Sequence, residues 1–170
     1  MATVERIAFI MAKTLYLMRG LPGCGKSHTA KKIAGADGVV CEVDAWFEDS
    51  EGVFRYKKQD VEFARGSARA RARAAMRDNV CAIVADRGCG DGKESRRYVK
   101  LAKKYGYKIV YQEPDSPHWR AIKIQLENET PDWNELRRWS DVLATLNRHN
   151  VSSENIYKRM QRWKPTSELT

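Results

Sequence analysis

Eight consecutive residues, Gly20-Leu21-Pro22-Gly23-Cys24-Gly25-Lys26-Ser27, satisfy every fixed position of the pattern G-x-x-x-x-G-K-[ST]. No other stretch narrows the fold so far, because that loop functions between a buried strand and the first turn of a helix. Upstream, Leu15-Tyr16-Leu17-Met18 is an apolar run that predicts a strand, and downstream residues 27–33 predict a helix. The glycines let backbone N–H groups turn inward around an anion, the helix N-terminus adds partial positive charge, and Lys26 can reach the outer phosphates. Gly20, Gly23, Cys24, Gly25, Lys26, Ser27 and His28 therefore form the expected nucleotide-phosphate site, with the Ser27 hydroxyl placed to hold magnesium.

Strand and helix signals alternate through the first two thirds of the chain. Residues 39–43 read as a second strand that ends at Asp44, and residues 57–77 as a long Ala/Arg-rich helix. The continuous apolar run 80–85 predicts a strand buried on both faces that ends at Asp86. A helix over 94–105 closed by Gly106 and a strand over 107–112 follow; helices are expected over 119–126, 131–146 and 153–163. This order predicts an α/β three-layer sandwich of the P-loop NTPase type, with a parallel sheet and a helical C-terminal lid. The length of 170 residues suits one domain, 13–170, and Met11-Ala12-Lys13 resembles a second start that makes 1–12 an N-terminal extension.

Lys and Arg outnumber Asp and Glu by 31 to 22, a net charge of +9, which serves either as a solubility surface or as an attraction to polyanions. Residues 7–11 are apolar but too few to span a membrane and lack a cleavage site, so a cytoplasmic chain with reduced thiols is expected. Cys24, Cys41, Cys81 and Cys89 show no C-x-x-C spacing. Cys24, near a helix N-terminus and Lys26, is expected to be the reactive thiol, with Cys41 and Cys81 inert inside apolar strands.

In open parallel sheets ligands sit beyond the carboxyl ends of the strands, where the loop, Asp44 and Asp86 should converge. Asp44 either accepts the proton of an acceptor hydroxyl or caps a turn, and Asp86 either holds a magnesium-bound water beside Ser27 or caps its strand. Arg65, Arg69, Arg73 and Arg77 recur every fourth residue and form one helical stripe: a rail for a phosphate backbone, or a solvated face partly paired by Glu62. Trp46, Phe47 and Phe54 could stack a terminal base, whereas Trp133, Trp139 and Trp163 suit packing.

The run from Met18 to Ser27, Asp44-Ala45-Trp46-Phe47, Tyr98-Val99-Lys100-Leu101-Ala102, Glu113-Pro114, Trp119, and Asn147-Arg148-His149-Asn150-Val151 leading through Ile156 and Met160 to Arg162-Trp163 resemble the P-loop polynucleotide kinase family. The similarity covers about residues 14–163 and extends to the kinase-like domain of 2',3'-cyclic-nucleotide 3'-phosphodiesterases. It implies ATP and Mg2+ as donor and cofactor, a 5'-hydroxyl end of RNA or DNA as acceptor, Lys26 and Arg148 on the donor phosphates, and Asp44 as base. It also implies that the third strand lies beside the first, bringing Cys24 and Cys89 into neighbouring loops where a disulfide is conceivable. One departure stands out: Asp86-Arg87-Gly88-Cys89-Gly90 replaces the family's Asp-x-Thr-Asn. Arg87 either aims a cation at a nucleic-acid phosphate or marks a different acceptor. No Asp-x-Asp-x-Thr and no pair of His-x-Ser/Thr motifs occurs, so only the kinase half is expected. A small-molecule kinase and a non-catalytic ATP-binding switch remain as alternatives.

Overall fold

The computed structural model describes residues 12–86 and 92–169. The expected extension, apart from Ala12, and the loop residues Arg87, Gly88, Cys89 and Gly90 lie outside the described residues. Four strands, β1 (Thr14–Met18), β2 (Val39–Glu42), β3 (Ala82–Asp86) and β4 (Lys108–Gln112), form one sheet in the order β2-β3-β1-β4. Every pairing is parallel, and β3 lies beside β1 as expected. The helices are α1 (Lys26–Ala34), α2 (Val61–Arg77), α3 (Gly92–Tyr105), α4 (Pro117–Leu126), α5 (Trp133–Leu146) and α6 (Ser153–Met160). None of the described helices is long and apolar enough to cross a membrane.

The two-residue alternation of strands divides the core. Leu15, Leu17, Cys41, Ile83 and Ala85 face Ala72, Ala75 and Met76 of α2 and Tyr98 and Ala102 of α3. Met18 and Val84 face Ala30 and Ala34 of α1 on the other side. In α2 the buried residues Ala64, Ala68, Ala72 and Ala75 recur at helical spacing, so small side chains let this long helix lie close to the sheet. A third core unites α4, α5 and α6 through Trp119, Ile122, Leu136, Leu143, Ile156 and Met160, and Leu21 and Cys24 of the phosphate loop are buried within it.

Three expected boundaries move. The second strand stops at Glu42, because Val43 turns into helical backbone and Asp44 opens a short 3-10 turn, Asp44–Phe47. The third strand begins at Ala82, which leaves Cys81 exposed ahead of it. The long helix begins at Val61, after a 3-10 turn at Lys58–Asp60.

Beyond α6 the chain returns to the sheet edge. Arg19, 1% exposed, donates from Nη1 to Thr166 Oγ1 at 2.6 Å and from Nη2 to the Lys164 carbonyl, and lies 4.4 Å from the centroid of the Trp163 ring. Thr166 Oγ1 donates to Glu113 Oε1 at 2.8 Å; Lys123 Nζ meets Oε2 at 2.7 Å, and Trp119 Nε1 donates to it at 3.3 Å. Trp163 packs edge-on against Trp119 at 5.0 Å, as a packing residue should.

Burial pushes the Glu113 carboxyl up, but Lys123, Thr166 and Trp119 outweigh it and hold the group below the ordinary value. A depressed folded-state pKa contributes stability above the unfolded value of 4.5 and loses it as pH falls through the folded value. Glu113→Gln should therefore lower Tm at neutral pH, and the gap to wild type should narrow as pH falls below 4.5 and through the depressed folded-state value. A gap that stays constant from neutral to acid pH in thermal melts would remove the carboxylate from this role.

Candidate active site

Hydrogen-bond and steric demands fix the phosphate loop from both sides. Gly25 takes φ +98° as the N-cap of α1, and Gly23 takes φ +78°. A Cβ on Gly23 would stand 2.5 Å from the Leu143 carbonyl oxygen, and one on Gly20 would stand 2.6 Å from Cys24 Sγ. Ser116, the N-cap of α4, donates from Oγ to the Cys24 carbonyl at 2.8 Å. Inside the loop, Lys26 Nζ donates to the Leu21 carbonyl at 2.9 Å. Ser27 Oγ donates to Asp86 Oδ2 at 2.7 Å, so the β1–β3 pairing places the expected magnesium residues in direct contact.

One cleft at this edge is lined by Ser27, Lys31, Glu42, Asp44, Glu48, Asp86, Arg148 and His149. The β2–β3 register sets Glu42 opposite Asp86. Burial, reinforced by Asp86, pushes the Glu42 carboxyl up, and its Oε1 is buried with no hydrogen-bond partner among the described residues. Asp44 is 55% exposed, and its Oδ2 lies 3.5 Å from His149 Nε2. The His149 ring meets Phe54 edge-on at 4.6 Å.

Asn147 organises the turn that delivers Arg148 and His149. Its Nδ2 donates to the Ala144 and Val151 carbonyls at 2.8 and 3.0 Å, and its Oδ1 accepts from the backbone N–H of His149 and Val151 at 3.3 and 2.8 Å. Asn150 then takes φ +53°, a left-handed conformation that asparagine tolerates.

The structure thus brings Ser27, Asp44, Asp86 and Arg148 together, while Glu42, Glu48, Lys31 and His149 were missed. Glu42 lies two residues before Asp44, so a period-two reading carried through the strand end would have paired them. His28 is exposed on α1 and does not line the cleft. The arginine stripe is not a free row of cations. Arg65 pairs with Glu62 at 2.6 Å, Arg69 turns inward to the buried Glu94 of α3, which also pairs with Arg97, and Arg77 lies 3.6 Å from Asp78. Arg73 is exposed, and Arg87 lies outside the described residues.

The expectations for Cys24 and Cys81 reverse, while Cys41 is buried in its strand as expected. Burial against the lid core pushes the Cys24 thiol up to about 11 despite Lys26, and Cys41 is pushed up to about 12, chiefly by burial. Cys89, and with it a bridge to Cys24, lies outside the described residues. Thiolate and access both decide reactivity, so mild alkylation followed by mass spectrometry should modify Cys81 well ahead of Cys24 and Cys41. Modification of Cys24 before Cys81 would show that the loop leaves the lid core in solution.

The model of the AAA domain family matches residues 15–148, from β1 through the Arg148 turn. Human NEDD4-binding protein 2 is 28% identical over 151 residues, an alignment that takes in 88% of this chain and 8% of that protein. The chain therefore spans less than a tenth of that curated relative's length. With the phosphate loop seated between β1 and α1, and Ser27 bonded to Asp86 at the carboxyl edge of a parallel sheet, the chain belongs to the AAA domain family, a kinase-like group of nucleotide-binding P-loop domains.

Proposed function

We propose that this domain transfers the γ-phosphoryl group of ATP to a hydroxyl, with the 5'-hydroxyl end of RNA or DNA as acceptor. The observation that carries this reading is the single cleft in which the Ser27–Asp86 pair, Asp44 and Arg148 meet. Phosphoryl transfer asks a protein chiefly to position two substrates and offset charge, and these groups divide those tasks.

The residues present fit the nucleotide and the metal. A Cβ on Gly20 would stand 2.6 Å from Cys24 Sγ and 3.3 Å from Lys26 Cγ, so glycine there lets the loop fold back tightly enough to turn its N–H groups inward. Glu42, Asp44 and Asp86 line the same cleft and a buried oxygen of Glu42 has no partner, but no three acidic, histidine or cysteine side chains cluster as a metal site among the described residues, which suits a cation held by one carboxylate and a hydroxyl with substrate phosphates and water. Ser27 and Asp86 would hold magnesium, which when bound neutralises charge on the phosphate oxygens.

Lys26, released from the Leu21 carbonyl, supplies a cation to the donor phosphates. Arg148, at the lip of the same cleft, adds a guanidinium over the transferring group. Asp44, half exposed and facing the cleft, accepts the proton of the acceptor hydroxyl as its oxygen bonds to phosphorus and the bridge to the β-phosphate breaks.

Labelled γ-phosphate offered with 5'-hydroxyl oligonucleotides, nucleosides or no acceptor separates this reading from a small-molecule kinase and from an ATP-binding switch. Transfer confined to nucleosides, or ATP binding with no transfer, would replace it. Asp44→Asn should lower kcat by at least about a hundredfold with ATP affinity nearly unchanged. Weakened ATP binding with kcat spared would make Asp44 a donor-side residue. Lys26→Ala should lower transfer by about a hundredfold or more while the thermal melt stays cooperative, since Lys26 acts on phosphate charge outside all three cores. Unaltered turnover in that variant would end the kinase assignment.

A further inference from the structure

The acceptor side of the cleft continues outward as a ladder of rings. Asp44 meets His149 at 3.5 Å, His149 meets Phe54 at 4.6 Å, and Phe54 stacks on Tyr56 at 6.5 Å with their planes 23° apart. Phe47, 5% exposed, roots the ladder, with its ring 5.1 Å from Tyr56 and 6.0 Å from Phe54. The outer rings stand in solvent: Trp46 is 51% exposed, Tyr56 59% and Phe63 73%.

These rings sit on ordered backbone. Glu48 and Phe54 form an antiparallel bridge, and the Arg55 N–H donates to the Phe47 carbonyl at 2.7 Å. Asp49 closes the turn between them, accepting the N–H groups of Glu51 and Val53 and the Arg55 Nε at 2.8–3.0 Å. A solvent-exposed aromatic group is costly to leave open, and Trp46 and Tyr56 stay open on either side of this ordered turn, while Phe63 stands out from α2.

Lys57 and Lys58 follow Tyr56 directly and are exposed, so rings and cations interleave from Phe54 to Lys58, between the acidic residues Glu48, Asp49 and Glu51 before them and Asp60 and Glu62 after. On α2, by contrast, Arg65 and Arg69 are already engaged by Glu62 and Glu94. Interleaved rings and cations suit a single-stranded nucleic acid, whose bases stack on aromatic faces while its phosphates meet lysines.

Resting on the reading of Asp44 as the acceptor base, we propose that Trp46 and residues 54–58 are the docking surface for the acceptor strand. Its bases stack on Trp46 and Tyr56, and its phosphates meet Lys57 and Lys58. The surface selects single strands over nucleosides, because a nucleoside reaches Asp44 without spanning the lysines.

The test uses a 3'-labelled 5'-hydroxyl single-stranded decamer and the 170-residue chain, with anisotropy read across a salt series without ATP. Trp46→Ala and Tyr56→Ala should each weaken binding about fivefold to a hundredfold while ATP affinity, as a report on folding, stays at the wild-type value. Lys57→Gln with Lys58→Gln should flatten the log affinity against log salt slope by about 1.4, for two single-strand phosphates. In transfer assays these losses should fall on KM for the decamer and spare KM for a nucleoside. Wild-type affinity and slope in all of these variants would overturn the proposal, as would a slope that responds to Arg73→Gln and not to the lysines. Failure of the wild-type chain to bind the decamer even at low salt would also overturn it, and would turn the patch toward a protein partner. Binding that behaves as described without any phosphate transfer would keep this surface and remove the kinase reading; transfer to the decamer indifferent to all the variants would do the opposite.

Discussion

Gly23 lies so close to the end of α5 that a single added carbon would meet the Leu143 carbonyl oxygen at 2.5 Å, and this contact ties the phosphate loop to the helices that follow the sheet. The same helix end carries Asn147, whose side chain shapes the turn that presents Arg148 and His149. Leu21 and Cys24 are buried in the core of the same three helices. The phosphate loop, the Arg148 turn and the imidazole beside Asp44 therefore all lean on one helix end. A close-packed interior transmits strain, so a shift in α5 would move the phosphate loop and the Arg148–His149 turn together.

Charge in the cleft is arranged against the same frame. Glu42, Asp44, Glu48 and Asp86 crowd one edge, while Lys31 and Arg148 supply cations there. Mutual repulsion and burial already raise the Glu42 carboxyl, so in this cleft the protonated acid is favoured more than in an exposed glutamate. A divalent cation entering beside Ser27 and Asp86 would reverse that preference, because a nearby positive charge favours the ionised carboxyl. Such a cation would offset the repulsion that Asp86 adds to the burial of Glu42.

The octet around Lys26 and the alternation of apolar runs made the fold legible, because a phosphate loop demands a strand before it and a helix after it, and parallel strands buried on both faces read as unbroken apolar stretches. Asp86 and Ser27 were legible for the same reason: each ends or follows a strand at the one edge where ligands sit. Arg69 and Cys24 were misread because their neighbours come from far along the chain. The Arg69 partner is Glu94, on another helix, and no helical periodicity of α2 contains it. Cys24 has the sequence context of a reactive thiol, but desolvation by Trp119, Ile122 and Leu143, nearly a hundred residues or more away, outweighs the cation two residues along. His149 was legible only as part of a resemblance, since its meaning lies in the distance to Asp44.

Arg19 bears on the far end of the lid. It directly precedes Gly20, and its guanidinium is buried against Trp163, Thr166 and the Lys164 carbonyl, all from the segment beyond α6. A buried cation is costly unless each donor finds a partner, and a well-packed apolar substitute is often no less stable. Its effect here is directional: the planar fork accepts partners in one geometry only, so the terminal segment can close over the sheet edge in a single register. That register sets Trp163 against Trp119, and Trp119 reaches Glu113 just past β4. The lid is consequently fastened at two places, at Gly23 through α5 and at Arg19 through the terminal segment, and both fastenings fall within four residues of each other on the strand-to-loop junction that holds phosphate.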